Sequence, residues 1–136
     1  MRNAGRLKLG YYPLPIDEAR NTRALLVPSG LYAAVDPCVG EGTALVEITK
    51  DTGAHLAGIE LDADRAAVAA DKGITIAHGS AFECRVLAET CSLLYLNPPY
   101  DSEFGPHSNK RMEQHFGKAW QGRSGFRCRH SLSWRH

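Results

Sequence analysis

Two stretches of this chain carry residue types that could do chemistry: Asn97-Pro98-Pro99-Tyr100 and Asp36-Pro37-Cys38-Val39-Gly40-Glu41-Gly42. In the first, an amide that both donates and accepts stands beside two prolines. These offer carbonyls with no competing N–H, and the tyrosine ring adds a face for stacking. Such groups suit a planar substrate carrying an amino group; the bland reading of the same four residues is a structural turn. In the second, Gly40 and Gly42 let the backbone turn tightly and come close to a ligand. No Gly-Lys-Ser or Gly-Lys-Thr is present, so this is not a P-loop, and no third glycine follows at the dinucleotide spacing. Asp36 would repel a pyrophosphate and suits a cationic or hydroxyl-bearing ligand.

The elements that must position these residues follow from patterning. Residues 92–96 form an apolar run that reads as a buried strand. Pro98 and Pro99 end it, which leaves Asn97 and Tyr100 on a stiff loop at a strand's carboxyl end, where open α/β sheets bind ligands. Upstream, residues 31–35 read as a first strand closed by Asp36, and 43–50 as a helix opened by the glycine loop. Residues 55–59 read as a second strand that ends in Glu60, placed to accept hydrogen bonds from a ribose diol. Asp62 reads as the N-cap of a helix over 63–72 that Gly73 stops. A third strand spans 74–77, after which His78 reads as a solvated loop residue, Ser80 and Phe82 could hold an adenine ring, and 82–90 reads as a short helix. At the front, Tyr11, Tyr12 and the prolines favour an extended segment. The tyrosines either pack on the domain or touch a ligand. Asp17 reads as the N-cap of a helix from Glu18 to about Val27. Strand and helix alternate, which implies a parallel sheet with right-handed crossovers. Every suspected functional residue falls at a strand's carboxyl end.

Composition sets the outer bounds. The 136 residues, 43% hydrophobic, allow one domain with a real core. No run is long enough to span a membrane, and the polar, basic N-terminus has no signal core, which argues for the cytoplasm. Cys38, Cys84, Cys91 and Cys128 show no Cys-x-x-Cys spacing, which argues against disulfides and a metal site. The net charge of +1 hides a split: residues 1–109 carry −5 and residues 110–136 carry +6. Such a split marks either a nucleic-acid-binding tail or a tail foreign to the fold.

The segments GYYPLP, DPCVGEG, GIELD, GSAF and LLYLNPPYD, in that order, resemble the amino-methyltransferases that use S-adenosylmethionine, and in particular the DNA adenine-N6 methyltransferases. The resemblance covers roughly residues 5–114. It implies a Rossmann-like class I methyltransferase sheet, incomplete on its C-terminal side. It also implies that Asp36, Pro37, Gly40 and Gly42 line the methionine part of the cofactor. Glu60 would take the ribose, Ser80 and Phe82 the adenine, and Tyr12 would belong to the same site. Asn97 and the Pro98 carbonyl would accept from the target amino group, with Pro99 stiffening the loop and Tyr100 stacking on the base. Two acceptors draw the amine protons out of the conjugation plane and free the nitrogen lone pair, after which the sulfonium methyl needs in-line placement. On duplex DNA, the adenine must first be flipped out.

The chain departs from that family in three places. Ser80 stands where an acid is usual and Leu14 where a threonine is usual, and only 36 residues follow Tyr100 where three more strands and a recognition region are expected. Residues 1–116 therefore read as a partial methyltransferase domain. Residues 117–136, rich in Gly, Ser, Arg and His and without an acid, read as an irregular tail. A frameshifted or truncated frame is one reading of that tail; a basic, aromatic nucleic-acid-binding segment is the other. Without a fifth strand beside it, the fourth presents an open apolar edge, so marginal stability or self-association through that edge is expected. Three functions follow: methylation of adenine N6 in DNA, by this chain or with it as the cofactor-binding half of such an enzyme, inactive alone; methylation of a protein glutamine or an RNA base; and non-catalytic nucleic-acid binding through the tail.

Overall fold

The computed structural model describes residues 13–26, 33–84 and 91–97. Helix α1 (Ile16–Leu25) precedes strand β1 (Ala33–Asp36), helix α2 (Thr43–Ile48) and strand β2 (His55–Glu60). Helix α3 (Ala63–Asp71), strand β3 (Thr75–His78) and strand β4 (Leu93–Leu94) complete the order. The four strands form one sheet in the order β3-β2-β1-β4, and every pair is parallel. β1 lies inside the sheet and all four of its residues are buried, as a parallel strand covered on both faces requires.

Local chemistry explains most of the element ends. Asp62 caps α3 as its type predicts, accepting from the N–H groups of Asp64 at 3.1 Å and Arg65 at 3.0 Å. Gly73, with φ +86°, ends the segment. α2 is shorter than 43–50 because the Thr49 hydroxyl donates back to the Leu45 carbonyl at 2.7 Å as the helix runs out. The expected cap at Asp17 is corrected. α1 begins two residues earlier, at Ile16, with Pro15 at the N-cap, a position where the missing N–H removes no helical bond. Asp17 instead sits in the first turn and pairs with Arg20 at 3.2 Å. β3 runs to His78, so that residue ends a strand and is not in a loop. β4 is shorter than the apolar run 92–96, although Ser92 and Tyr95 also donate to β1, at the carbonyls of Ala33 and Val35. Residues 81–84 form a turn; the rest of the helix expected over 82–90 lies outside the described residues, as does the tail 117–136.

The core has two sides. On one, Ala34, Val39, Leu45, Ala69 and Ile74 join the sheet to α2 and α3. On the other, Val35, Ala57 and Cys91 are buried with Leu94 against them. α1 rests on α2, burying Ala19, and Arg20 and Arg23 reach Glu47 at 3.5 and 3.3 Å. Partly exposed pairs of this kind stabilise by little.

One close approach sets the path of the glycine loop. Gly58, mid-strand in β2, lies under the Val39 side chain, and a Cβ at Gly58 would stand 2.6 Å from both Cβ and Cγ1 of Val39. Val39 cannot easily move, because its N–H donates to the Ile59 carbonyl at 3.0 Å. Gly58→Ala is expected to cost about 1–3 kcal/mol through overpacking. In a urea-denaturation double-mutant cycle, Val39→Ala should recover on the order of 1 kcal/mol of that loss. Strict additivity would show that the contact is not the cause.

Candidate functional site

Parallel strands bring Asp36, Glu60 and His78 to one end of the sheet. Asp36 is two residues ahead of Glu60 in the β1–β2 register, and Glu60 lies opposite His78. Asp36 is 3% exposed, and its Oδ1 accepts from the Cys38 N–H at 2.8 Å. Among the described residues, no donor reaches Oδ2 and no cation pairs with the carboxylate. Burial pushes its pKa up from 3.8 to about 7; the Cys38 hydrogen bond opposes that rise and the neighbouring Glu60 charge adds to it.

Glu60 is placed differently. Its Oε1 accepts from the Asp62 N–H at 2.9 Å and from Arg65, whose Nη2 and Nε lie at 2.9 and 3.2 Å. Its Oε2 accepts from the Gly40 N–H at 2.9 Å. The carboxylate expected to take a ribose diol is thus already engaged with the glycine loop and with a cation. Arg65 was not among the residues singled out from the sequence. Its signal was available: it lies five residues past Glu60, in the first turn of the helix that the strand feeds.

The glycine loop is held from within. The N–H groups of Cys38, Val39, Gly40 and Gly42 donate to Asp36, Ile59, Glu60 and Val39 respectively. A loop whose amides are engaged this way offers little to a phosphate. Pro37 is fully buried in the turn. Gly42 also serves packing, because it has φ +80° and a Cβ there would meet Ile74 Cδ1 and lie 3.3 Å from Ala69 Cβ. Lys72 fastens the same bend, its Nζ donating to the Glu41 carbonyl at 2.6 Å and to the Thr43 hydroxyl at 3.2 Å.

An apolar cluster draws the separate motifs together. Ile59 and Ala81 are its buried centre, with Cys38, Phe82, Leu94 and Leu96 packed around them. The half-buried Asn97 directly follows Leu96, so the end of β4 joins the loop after β1 and the turn after β3. Ser80 Oγ accepts from the Phe82 N–H at 3.3 Å, which fixes that turn. Leu61 is 43% exposed beside Glu60, and its carbonyl lies 3.1 Å from His78 Nε2. Burial raises the Cys38 thiol far above its usual range, with the Asp36 and Glu60 charges adding to the effect, so Cys38 is not a thiolate nucleophile. The Cys84 thiol is also raised, first by burial and then by Glu83. Among the described residues no group of His, Cys, Asp and Glu could hold a metal ion, and no helix is long and apolar enough to cross a membrane. Tyr12, Pro98, Pro99 and Tyr100 lie outside the described residues.

Parallel strands joined through helices, with acids gathered at the carboxyl ends, define a Rossmann-like α/β fold. Known structures share it. A candidate RNA methyltransferase from Pyrococcus horikoshii superposes with a TM-score of 0.62 at 18% identity, over 77% of this chain and 56% of its own. A geranyl diphosphate methyltransferase solved in complex with SAM superposes with a TM-score of 0.53 at 15% identity, over 75% of this chain and 57% of its own. The chain therefore spans little more than half the length of these two proteins. No curated protein sequence matches it. Residues 1–117 match the uncharacterised methyltransferase family DUF6094, and the chain belongs to that family.

Proposed function

We propose that this chain binds S-adenosylmethionine at the carboxyl ends of β1 and β2 and methylates the exocyclic N6 amine of adenine in DNA. The observation that carries the cofactor reading is Asp36, a buried carboxylate with one oxygen lacking a donor and no cation beside it among the described residues. A buried charge left in that state calls for a cationic ligand group. The ammonium of a methionine moiety fits, and a ligand without phosphate fits a loop whose amides are engaged. Glu60 retains an acceptor position on Oε2 for a ribose hydroxyl. When bound, S-adenosylmethionine supplies an electrophilic methyl group. The chain's part is to orient the acceptor: the Asn97 amide oxygen takes a hydrogen bond from the target amine and turns its lone pair out of conjugation. The substrate half of the proposal rests on the Asn97-Pro98-Pro99-Tyr100 segment. Methylation of an RNA base is the second reading, favoured by the name of the Pyrococcus protein of like fold.

The test incubates the full chain with methyl-tritiated S-adenosylmethionine and either unmethylated DNA or RNA, then separates the nucleosides. Label in N6-methyldeoxyadenosine is the expected result. Label in a ribonucleoside instead overturns the DNA assignment in favour of RNA. No label from a chain that binds the cofactor removes the substrate assignment and leaves the cofactor site standing. A folded chain that neither binds nor transfers removes both.

A further inference from the structure

We infer that Arg65 is the positioning residue of the cofactor site, fixing which oxygen of Glu60 is left for the ribose. This rests on the cofactor reading above. Arg65 and Glu60 are 8% and 7% exposed, so the two charges meet almost out of water. Such a pair holds one geometry, because separating it would leave a buried charge alone. The geometry is asymmetric. The guanidinium places Nη2 at 2.9 Å and Nε at 3.2 Å from one oxygen, Oε1, which also accepts from the Asp62 N–H at 2.9 Å. An oxygen with two lone pairs that faces three donors is saturated. Among the described residues Oε2 accepts from the Gly40 N–H alone, so it keeps room for one more donor. The side chain that saturates Oε1 therefore dedicates Oε2 to the ligand and keeps it against the glycine loop.

Arg65 also sets the charge of the site. The groups that face Glu60 are Asp36 on β1, Cys38 in the loop after it, Asp62 and Arg65 at the start of α3, and His78 opposite on β3. The Glu60 charge adds to the upward shift of the Asp36 carboxyl, and the guanidinium is the cation that pairs with Glu60 among the described residues.

The test compares two ligands on three chains. Wild type, Arg65→Gln and Arg65→Lys are titrated calorimetrically with S-adenosylmethionine and with 2′,3′-dideoxy-S-adenosylhomocysteine, each against its own wild-type affinity. Circular dichroism and a melting curve establish that each chain is folded. Arg65→Gln is expected to weaken S-adenosylmethionine about tenfold or more, the scale of one charge-assisted hydrogen bond. It should change the dideoxy ligand by less than about twofold. Arg65→Lys, which keeps the cation but not the fork, is expected to recover part of the affinity. If Arg65→Gln does not fold, the ratio of the two losses is read from Arg65→Lys. Equal loss for both ligands, or no loss for either, overturns the assignment. Absence of S-adenosylmethionine binding by the folded wild type overturns the cofactor reading itself, an outcome distinct from equal losses in the variant.

Discussion

Asp36→Asn is expected to raise the melting temperature of the chain at about pH 8 and at the same time to weaken S-adenosylmethionine on the order of 100-fold. The two effects have one origin. Asn keeps the oxygen that accepts from the Cys38 N–H, so the turn survives, and it removes a carboxylate that burial disfavours. The sign follows from proton binding. A carboxyl whose folded-state pKa is pushed up from 3.8 to about 7 holds its proton in the folded chain after the unfolded chain has lost it. Stability is therefore fully present below the unfolded value, falls as pH rises through that window, and levels off above it. The whole window corresponds to roughly 4 kcal/mol at the most. Melting curves of both chains across this range should diverge as pH rises, with the variant higher. In wild type, a cation at Asp36 displaces the proton, so affinity for S-adenosylmethionine should climb about tenfold per pH unit below about 7 and flatten above it. The variant should show a flat profile. A variant that melts below wild type at every pH, or that binds undiminished, would remove Asp36 from the role assigned to it.

Gly42→Ala should be the most damaging single-methyl addition among the glycines whose surroundings are defined. Two penalties combine: φ +80° is a left-handed conformation, and the new Cβ would meet Ile74 Cδ1 with Ala69 behind it. Strain and overpacking together amount to roughly 2–5 kcal/mol. Gly53→Ala is the control, since Gly53 has φ +69° but nothing within 4 Å. It should lose only the conformational part, about 1–2 kcal/mol. Denaturant titration of the two variants separates the terms. Equal losses would mean that Ile74 and Ala69 yield freely, and that Gly42 is required for its backbone angle alone.

These cases show what could be read from residues alone. The order of strands and helices was legible because apolar runs, glycine stops and the Asp62 cap are local signals. The placing of Asp36, Glu60 and Asn97 at strand ends followed from them. What Gly42 and Gly58 serve was not legible. A glycine in a loop or strand signals a close approach without saying to what, and here the neighbours are Ile74 and Val39, distant in sequence. The burial of Pro37 was not legible either, because motif position does not reveal it. Arg65 was missed because its type and exposure-prone chemistry suggest a solvated helix face. Only the fold brings its guanidinium onto Glu60.

The internal fastening of the glycine loop also has a kinetic side. With the amides of residues 38, 39, 40 and 42 already bonded within the chain, the glycine loop does not have to be ordered before a ligand can settle on it. A preorganised receptor forfeits little entropy on association. Observed association rates should then rise linearly with ligand concentration, without the plateau that a slow closing step imposes.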